Sequence, residues 1–216
     1  MAENQIVNAT GLGNSAALAA HSFGVNPWWR GHSVSTWKLC PSVLREDGFG
    51  DNYESNIAQH FMLGAQARYP DCPDIKDAAS WLFLMQHYGL PTRLLDWTGS
   101  ILIATYFAVR DEEHHNQDGA VWAIVGSFLN EDQVGKRMFL APTNEHASWL
   151  FYEVYGEQLG EPSNRIVATN SFQSDVRMMV QLSEFTLHGV ATPIEELPNK
   201  EKILMRFTIH GLRNQT

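Results

Sequence analysis

An arginine followed by a residue with no side chain opens the chemistry of this chain, in Trp29-Arg30-Gly31-His32-Ser33. A guanidinium offers paired N–H donors to a phosphate or carboxylate. The glycine leaves backbone N–H and C=O groups open to a planar amide. The plainer alternative is an arginine ion-paired at a strand end. A second cluster is Gln86-His87-Tyr88-Gly89-Leu90-Pro91-Thr92-Arg93-Leu94-Leu95-Asp96-Trp97-Thr98. Its polar side chains cannot all be buried without partners, because each unpaired group is costly. They therefore form either a polar network or a cleft. Within it Arg93 and Asp96 read as an internal ion pair. His87 reads either as a satisfied core histidine or as a group working near neutral pH. A third cluster holds Arg177, Gln181, Glu184, Thr186 and His188. Glu184 either projects from a strand into a cleft or is a solvated carboxylate.

Two further patterns carry less. His114 and His115 are adjacent, and neighbouring side chains point apart. With no HExxH and no paired cysteines, no metal is expected. Gly11-Leu12-Gly13-Asn14-Ser15-Ala16 has the outline of a dinucleotide fingerprint, but no βαβ unit follows it. It reads as a flexible lead-in.

The elements that would position these groups follow from periodicity and punctuation. A short helix is expected over Ala16–His21, capped by Asn14 or Ser15, and a strand over Pro27–His32. A helix over Tyr53–Tyr69 has Ile57, Phe61 and Ala65 on one stripe and stops at Pro70. A second helix runs from Asp77 through Tyr88, with Gly89 as its C′ residue and Pro91 beyond. Thr92–Thr98 is a loop entering a strand. Ile101–Val109 is a helix apolar all round, hence central. Asp111–Gly119 is a charged loop and Ala120–Val125 a buried strand. Leu129–Gly160 is less regular, with a helical Trp149–Tyr155. Arg165–Thr169 is extended, Asp175–Val180 a helical turn and Glu184–His188 a strand. Ile203–His210 alternates as the clearest strand. The predicted class is α+β: one mixed domain with helices on a small, mostly antiparallel sheet. Residues 1–24 form an N-terminal extension and residues 25–216 the domain.

With 44% hydrophobic residues in 216, the chain has material for a real core. A net charge of −9 argues against general nucleic-acid binding, which needs a basic face. No run approaches the roughly 20 apolar residues of a membrane span, and the N-terminus lacks the basic region of a signal peptide. Cys40 and Cys72 are expected as free thiols in a reducing compartment. The expectation is a cytoplasmic protein with no membrane partner.

These motifs match something known. Trp29 to Ser33, Pro41-Ser42 with Arg45, Glu54, the Gln86–Thr98 run and Ala104-Thr105-Tyr106-Phe107-Ala108 closely resemble the FRG domain family. Arg177, Gln181, Phe185-Thr186 and His188 fit its closing pattern. The resemblance spans roughly Trp28 to His210. That family occurs in prokaryotes, phages and mobile elements, which implies a conflict, defence or toxin-like role.

The order of parts also resembles the ADP-ribosyltransferase plan, which implies a split sheet and NAD. That resemblance implies an ADP-ribosyltransferase or NAD glycohydrolase, acting through an oxocarbenium-like state. It gives Arg30, His87 and Glu184 as catalytic residues, with Arg30 clamping the pyrophosphate. It places Trp29, Gly31, His32, Arg93, Asp96, Trp97, Thr98, Tyr106 and Gln181 around the cofactor. Trp97, Tyr88 or Trp29 would stack on a ring. The partners implied are a nucleotide-type small molecule and an undefined macromolecular target. The same pocket would serve a non-catalytic sensor or inhibitor.

Overall fold

The computed structural model describes residues 4–5, 9–45, 53–69, 72–144, 147–148, 164–170 and 183–211. Its strands are β1 (Asn4–Gln5), β2 (Trp28–His32), β3 (Leu94–Thr98), β4 (Gly119–Ile124), β5 (Ile166–Asn170), β6 (Ser183–His188) and β7 (Leu204–Ile209). Its longer helices are α1 (Ala9–Phe23), α2 (Tyr53–Gln66), α3 (Ala78–His87), α4 (Ile101–Val109) and α5 (Gly126–Val134). The strands form one sheet in the order β1-β7-β4-β2-β3-β6-β5. Every pairing is antiparallel except that of the two-residue β1 with β7. The expected α+β class is what the chain adopts.

Paired residues project from the same face of a sheet. On one face lie Trp29, Val121, Ala123 and Phe207, joined across the Trp29–Thr98 pair by Leu94, Phe185 and Leu187. Helices α1 and α4 cover the β2-β4-β7 half, and α2 and α3 cover the β3-β6-β5 half. The second face carries Trp28, Leu95, Trp97, Trp122, Ile124, Ile166 and Ala168. It is closed by Leu39, Leu129 of α5, Ile194, Leu197 and Ile203.

Local chemistry explains the boundaries. Asp77 caps α3 by accepting from the Ser80 backbone N–H at 3.1 Å. At its other end Leu90 N–H reaches Met85 O and Gly89 N–H reaches Gln86 O, with Gly89 at φ 76°. This is the Schellman arrangement that the Gly89 position predicted.

Three expectations are corrected. α1 begins at Ala9, not Ala16. Gly11–Ser15 is therefore helix rather than a flexible lead-in, and Leu12, Ala16, Ala19 and Phe23 join the core. α4 is not central: Leu102, Tyr106 and Val109 are exposed, and only Ala104 and Ala108 are fully buried. α5 lies where less regular chain was expected, its first residue Gly126 fitting against the Trp28 ring. The readings of Trp149–Tyr155 and Asp175–Val180, and those of Arg177 and Gln181, fall outside the described residues.

Among the described residues no helix is long and apolar enough to cross a membrane. Cys40 and Cys72 are free thiols.

Candidate functional site

β2 and β3 are joined by a single pair, Trp29 with Thr98, and then part. In the opening a side chain replaces the ladder: Arg30 Nη1 donates to the carbonyl of Asp96 at 2.6 Å. Above it lies a cleft of about 390 Å³. One wall is the end of α3 with Gln86, Gly89 and Leu90, and the other is α4 with Ile103, Ala104 and Phe107. Trp29, Gly31, Asp96 and Thr98 form its floor, and Arg30 and Trp97 reach it from the second face.

Arg30 is held without a carboxylate in contact. Its Nε donates to His32 Nε2 at 3.0 Å, and the nearest Asp96 carboxylate oxygen is 4.0 Å from Nη1. An arginine Nε can only donate, so His32 Nε2 must accept. Nδ1 then carries the proton and faces the Trp37 carbonyl at 3.2 Å. His32 is buried; burial first, and then the neighbouring Arg30 charge, push its pKa down to about 3. It is therefore a neutral prop at pH 7. Burial also lowers the pKa of Arg30, opposed by the charge of Asp96. Among the described residues, Arg30 Nη2 has no hydrogen-bond partner.

The Asp96 carboxylate is presented at the mouth of the cleft. Gln86 Nε2 donates to its Oδ2 at 2.7 Å. Gln86 Oε1 in turn accepts from the Thr92 hydroxyl, whose oxygen accepts from Leu94 N–H. The Gln86–Thr98 stretch is thus both a polar network and a cleft edge.

The expected Arg93–Asp96 ion pair is not formed. Arg93 binds Glu54 of α2 instead, through Nη2 to Oε2 at 2.7 Å, Nε at 3.0 and 3.1 Å, and its backbone N–H at 3.2 Å. That pair is nearly buried, so Arg93 holds α2 against β3 and does not line the cleft. Gly31 also has a different local reason. A Cβ there would meet the Ala104 carbonyl oxygen at 1.8 Å, so the glycine lets α4 lie backbone against backbone on β2.

The other predicted residues sort by place. Trp29, Trp97 and Thr98 line the cleft, the Thr98 hydroxyl also accepting from Ser100 N–H. His32 lies behind the cleft. His87 does not line it and packs edge-on against Tyr88. Tyr88 turns to Phe61 and Tyr69 in a groove between α2 and α3. Tyr106 is on the solvent side of α4, and Phe107 takes the wall position. Glu184 pairs in register with Trp97 on the second face, off the cleft lining. Burial raises its pKa to about 7.

Sequence reasoning missed Gln86 as the holder of Asp96, and missed Ser42, Ser183 and Arg110 at the rim. Arg110 sits over the Phe107 ring, 4.8 Å from its centroid. The signal for Gln86 was its place four residues before the Schellman turn's Leu90. Among the described residues no group of His, Cys, Asp and Glu is placed to hold a metal ion.

The comparisons with known proteins bear out the FRG resemblance over the first part of the span expected for it. Neither curated proteins nor solved structures give a match. The family model of the FRG domain matches residues 26–117, a span containing every cleft-lining residue except Ser183. The split between β2 and β3, the Arg30 prop and both cleft walls therefore lie within the span that matches the FRG domain model.

Proposed function

We propose that the cleft binds a nucleotide and that NAD is the ligand its chemistry fits. The observation that carries this is Arg30: a desolvated guanidinium, held by a neutral imidazole and a carbonyl, with Nη2 left to bind. Such a group is suited to a phosphate oxygen. Arg110 adds a second positive charge at the rim. Trp29, Trp97, Phe107 and Leu90 supply apolar surface for a ring, and Ser42, Thr98 and Ser183 supply hydroxyls for a ribose.

The reaction proposed is cleavage of the bond between ribose C1′ and nicotinamide. The bonding pair leaves with nicotinamide, and the ribosyl cation is stabilised by a carboxylate. Water or a target nucleophile then adds at C1′ and gives up its proton to a carboxylate base. Asp96, at the mouth, would face the cation and would also take that proton, since Glu184, though its pKa is raised to about 7, sits beside Trp97 on the second face, off the cleft lining. The chain would thus act as an ADP-ribosyltransferase or NAD glycohydrolase. A toxin-like or defence role in bacterial and phage conflict is part of the same proposal.

A second reading is a binding module, sensor or inhibitor, and one observation favours it. Asp96 is already held by Gln86, and Glu184 does not line the cleft. One experiment separates the two. The protein is titrated with NAD and with ADP-ribose by calorimetry, and released nicotinamide is measured. Binding with nicotinamide release supports the enzyme. Binding of ADP-ribose and NAD with no release, alone or with cell lysate, supports the module. No binding of either rejects both.

A further inference from the structure

Helix α4 shows the cleft Ile103, Ala104, Phe107 and Arg110. Steps of three and four residues make one stripe of a helix. The rotation that turns this stripe to the cleft is set where the backbone of Ala104 and Ala108 packs against Gly31. Arg110 closes the helix as its C-cap residue, and its guanidinium lies over the Phe107 ring, 4.8 Å from the centroid. A guanidinium laid on an aromatic face is held in place while its in-plane N–H donors stay available. Among the described residues no carboxylate or carbonyl answers them.

The acidic run that follows Arg110 goes elsewhere. Asp111 pairs with His114 at 3.6 Å and lines a separate cavity with His115 and His210. Neither Glu112 nor Glu113 lines the cleft. The cleft thus holds two guanidinium groups against the one carboxylate of Asp96, in a chain of net charge −9. A cleft of locally positive sign gathers anions. Along α4, Arg110 stands about 9 Å from Ala104, whose carbonyl Gly31 meets beside Arg30. Ile103 and Phe107 occupy that length of wall. Two cations parted by an apolar wall suit two anions parted by an apolar body. A continuous phosphate chain would instead lay charge along Ile103 and Phe107.

We infer that Arg110 is a specificity-determining residue: it takes a phosphate carried on the ribose, so the nucleotide this cleft prefers has two separate phosphates, one for Arg30 at the floor and one for Arg110 at the rim. This rests on the nucleotide reading of the cleft and deepens it by naming the substrate class. The ribose phosphate is at the 2′ or the 3′ position, and at 2′ the dinucleotide selected is NADP rather than NAD.

The test uses the full chain and calorimetric affinities for AMP, ADP, adenosine 2′,5′-bisphosphate and adenosine 3′,5′-bisphosphate, with NAD against NADP and the Tm of the free protein. One of the bisphosphates should bind about tenfold tighter than AMP, and ADP, whose phosphates are contiguous, should gain less. A 2′ preference should appear again as NADP over NAD. Added salt should shrink the gain. Arg110→Met, which keeps a flexible stem over Phe107, should bring the ratio of bisphosphate to AMP affinity to about one. Arg110→Lys, which keeps the charge, should restore part of it. Arg30→Met should weaken AMP and the bisphosphates together and leave the ratio in place.

Equal binding of AMP and both bisphosphates overturns the second phosphate and leaves the nucleotide cleft standing. A gain that survives Arg110→Met, with only the Tm altered, makes Arg110 a partner of the helix dipole and overturns its role in selection. A gain for ADP as large as that for the bisphosphates puts both arginines on one diphosphate, and also overturns it. A wild-type chain that binds none of these nucleotides overturns both readings.

Discussion

Two arginines flank the same strand and do opposite things. Arg93 is gripped by the Glu54 carboxylate through its side chain and its backbone N–H. Arg30 has a neutral imidazole, a carbonyl oxygen and a carboxylate no closer than 4.0 Å. Both are largely withdrawn from water, but Arg93 has a carboxylate in direct contact and Arg30 has one only at 4.0 Å. A saturated guanidinium is a fastener; one left with spare donors beside an opening is a receptor.

The sharpest break of this contrast is at the fastener. Glu54→Ala should strip the nearly buried Arg93 of its Glu54 carboxylate, at a cost of about 3–5 kcal/mol in unfolding free energy. The fraction that remains folded should bind NAD as before. Arg30→Met should do the reverse: Tm held or raised, and affinity for NAD lower by roughly 2–3 kcal/mol, about 30- to 150-fold. If Arg30→Met instead unfolds the protein while Glu54→Ala abolishes binding, the roles are exchanged.

Acid should reach the receptor's prop first. His32 and His188 have folded pKa values pushed from 6.5 to about 3, so the unfolded chain takes up their protons between those values. Stability from them is full above about 6.5 and is lost as pH falls. Glu184 runs the other way: raised from 4.5 to about 7, it favours the folded state at low pH and loses that advantage as pH rises through this window. Between about 4.5 and 6.5 the three groups leave a net of one proton, so stability should fall by about 1.4 kcal/mol per unit of acidification, and more steeply below 4.5. Denaturant unfolding across this range checks it, and Glu184→Gln should steepen the upper part.

Smaller effects sharpen the edges. Gln86→Leu, which strips the support from Asp96 and orphans the Thr92 hydroxyl, should cost about 1–2 kcal/mol of stability. Tyr106→Ala, on the solvent side of α4, should change NAD affinity and stability by no more than about 0.5 kcal/mol.

What was legible in the sequence was the company the residues keep. Arg-Gly at a strand end and the Gln86–Thr98 run were expected to meet, and they border one cleft. What failed was geometry that spacing alone misreads. Arg93 and Asp96 look like natural partners, yet along a strand a separation of three puts side chains on opposite faces. Gln86 and His87 are adjacent on α3, and the turn of the helix gives the first to the cleft and the second to Tyr88. Gly31 lines the cleft, but its missing side chain has a second cause that spacing hides, the Ala104 backbone packed against it from far along the sequence. Apolar composition placed α4 in the centre, although a helix can bury only its two alanines and still carry Leu102 and Tyr106 outside.

The Gly31–Ala104 contact gives the slot one hard jaw. With the α4 backbone resting on β2 through a bare α-carbon, no rotamer change can move that side outward, and any L side chain at Gly31 would lever the helix off the sheet. The opposite jaw ends at a left-handed glycine, Gly89, and is tied to the Asp96 carboxylate by one amide, Gln86. A guest too thick for the slot would meet backbone, not a yielding side chain, on the Gly31 side.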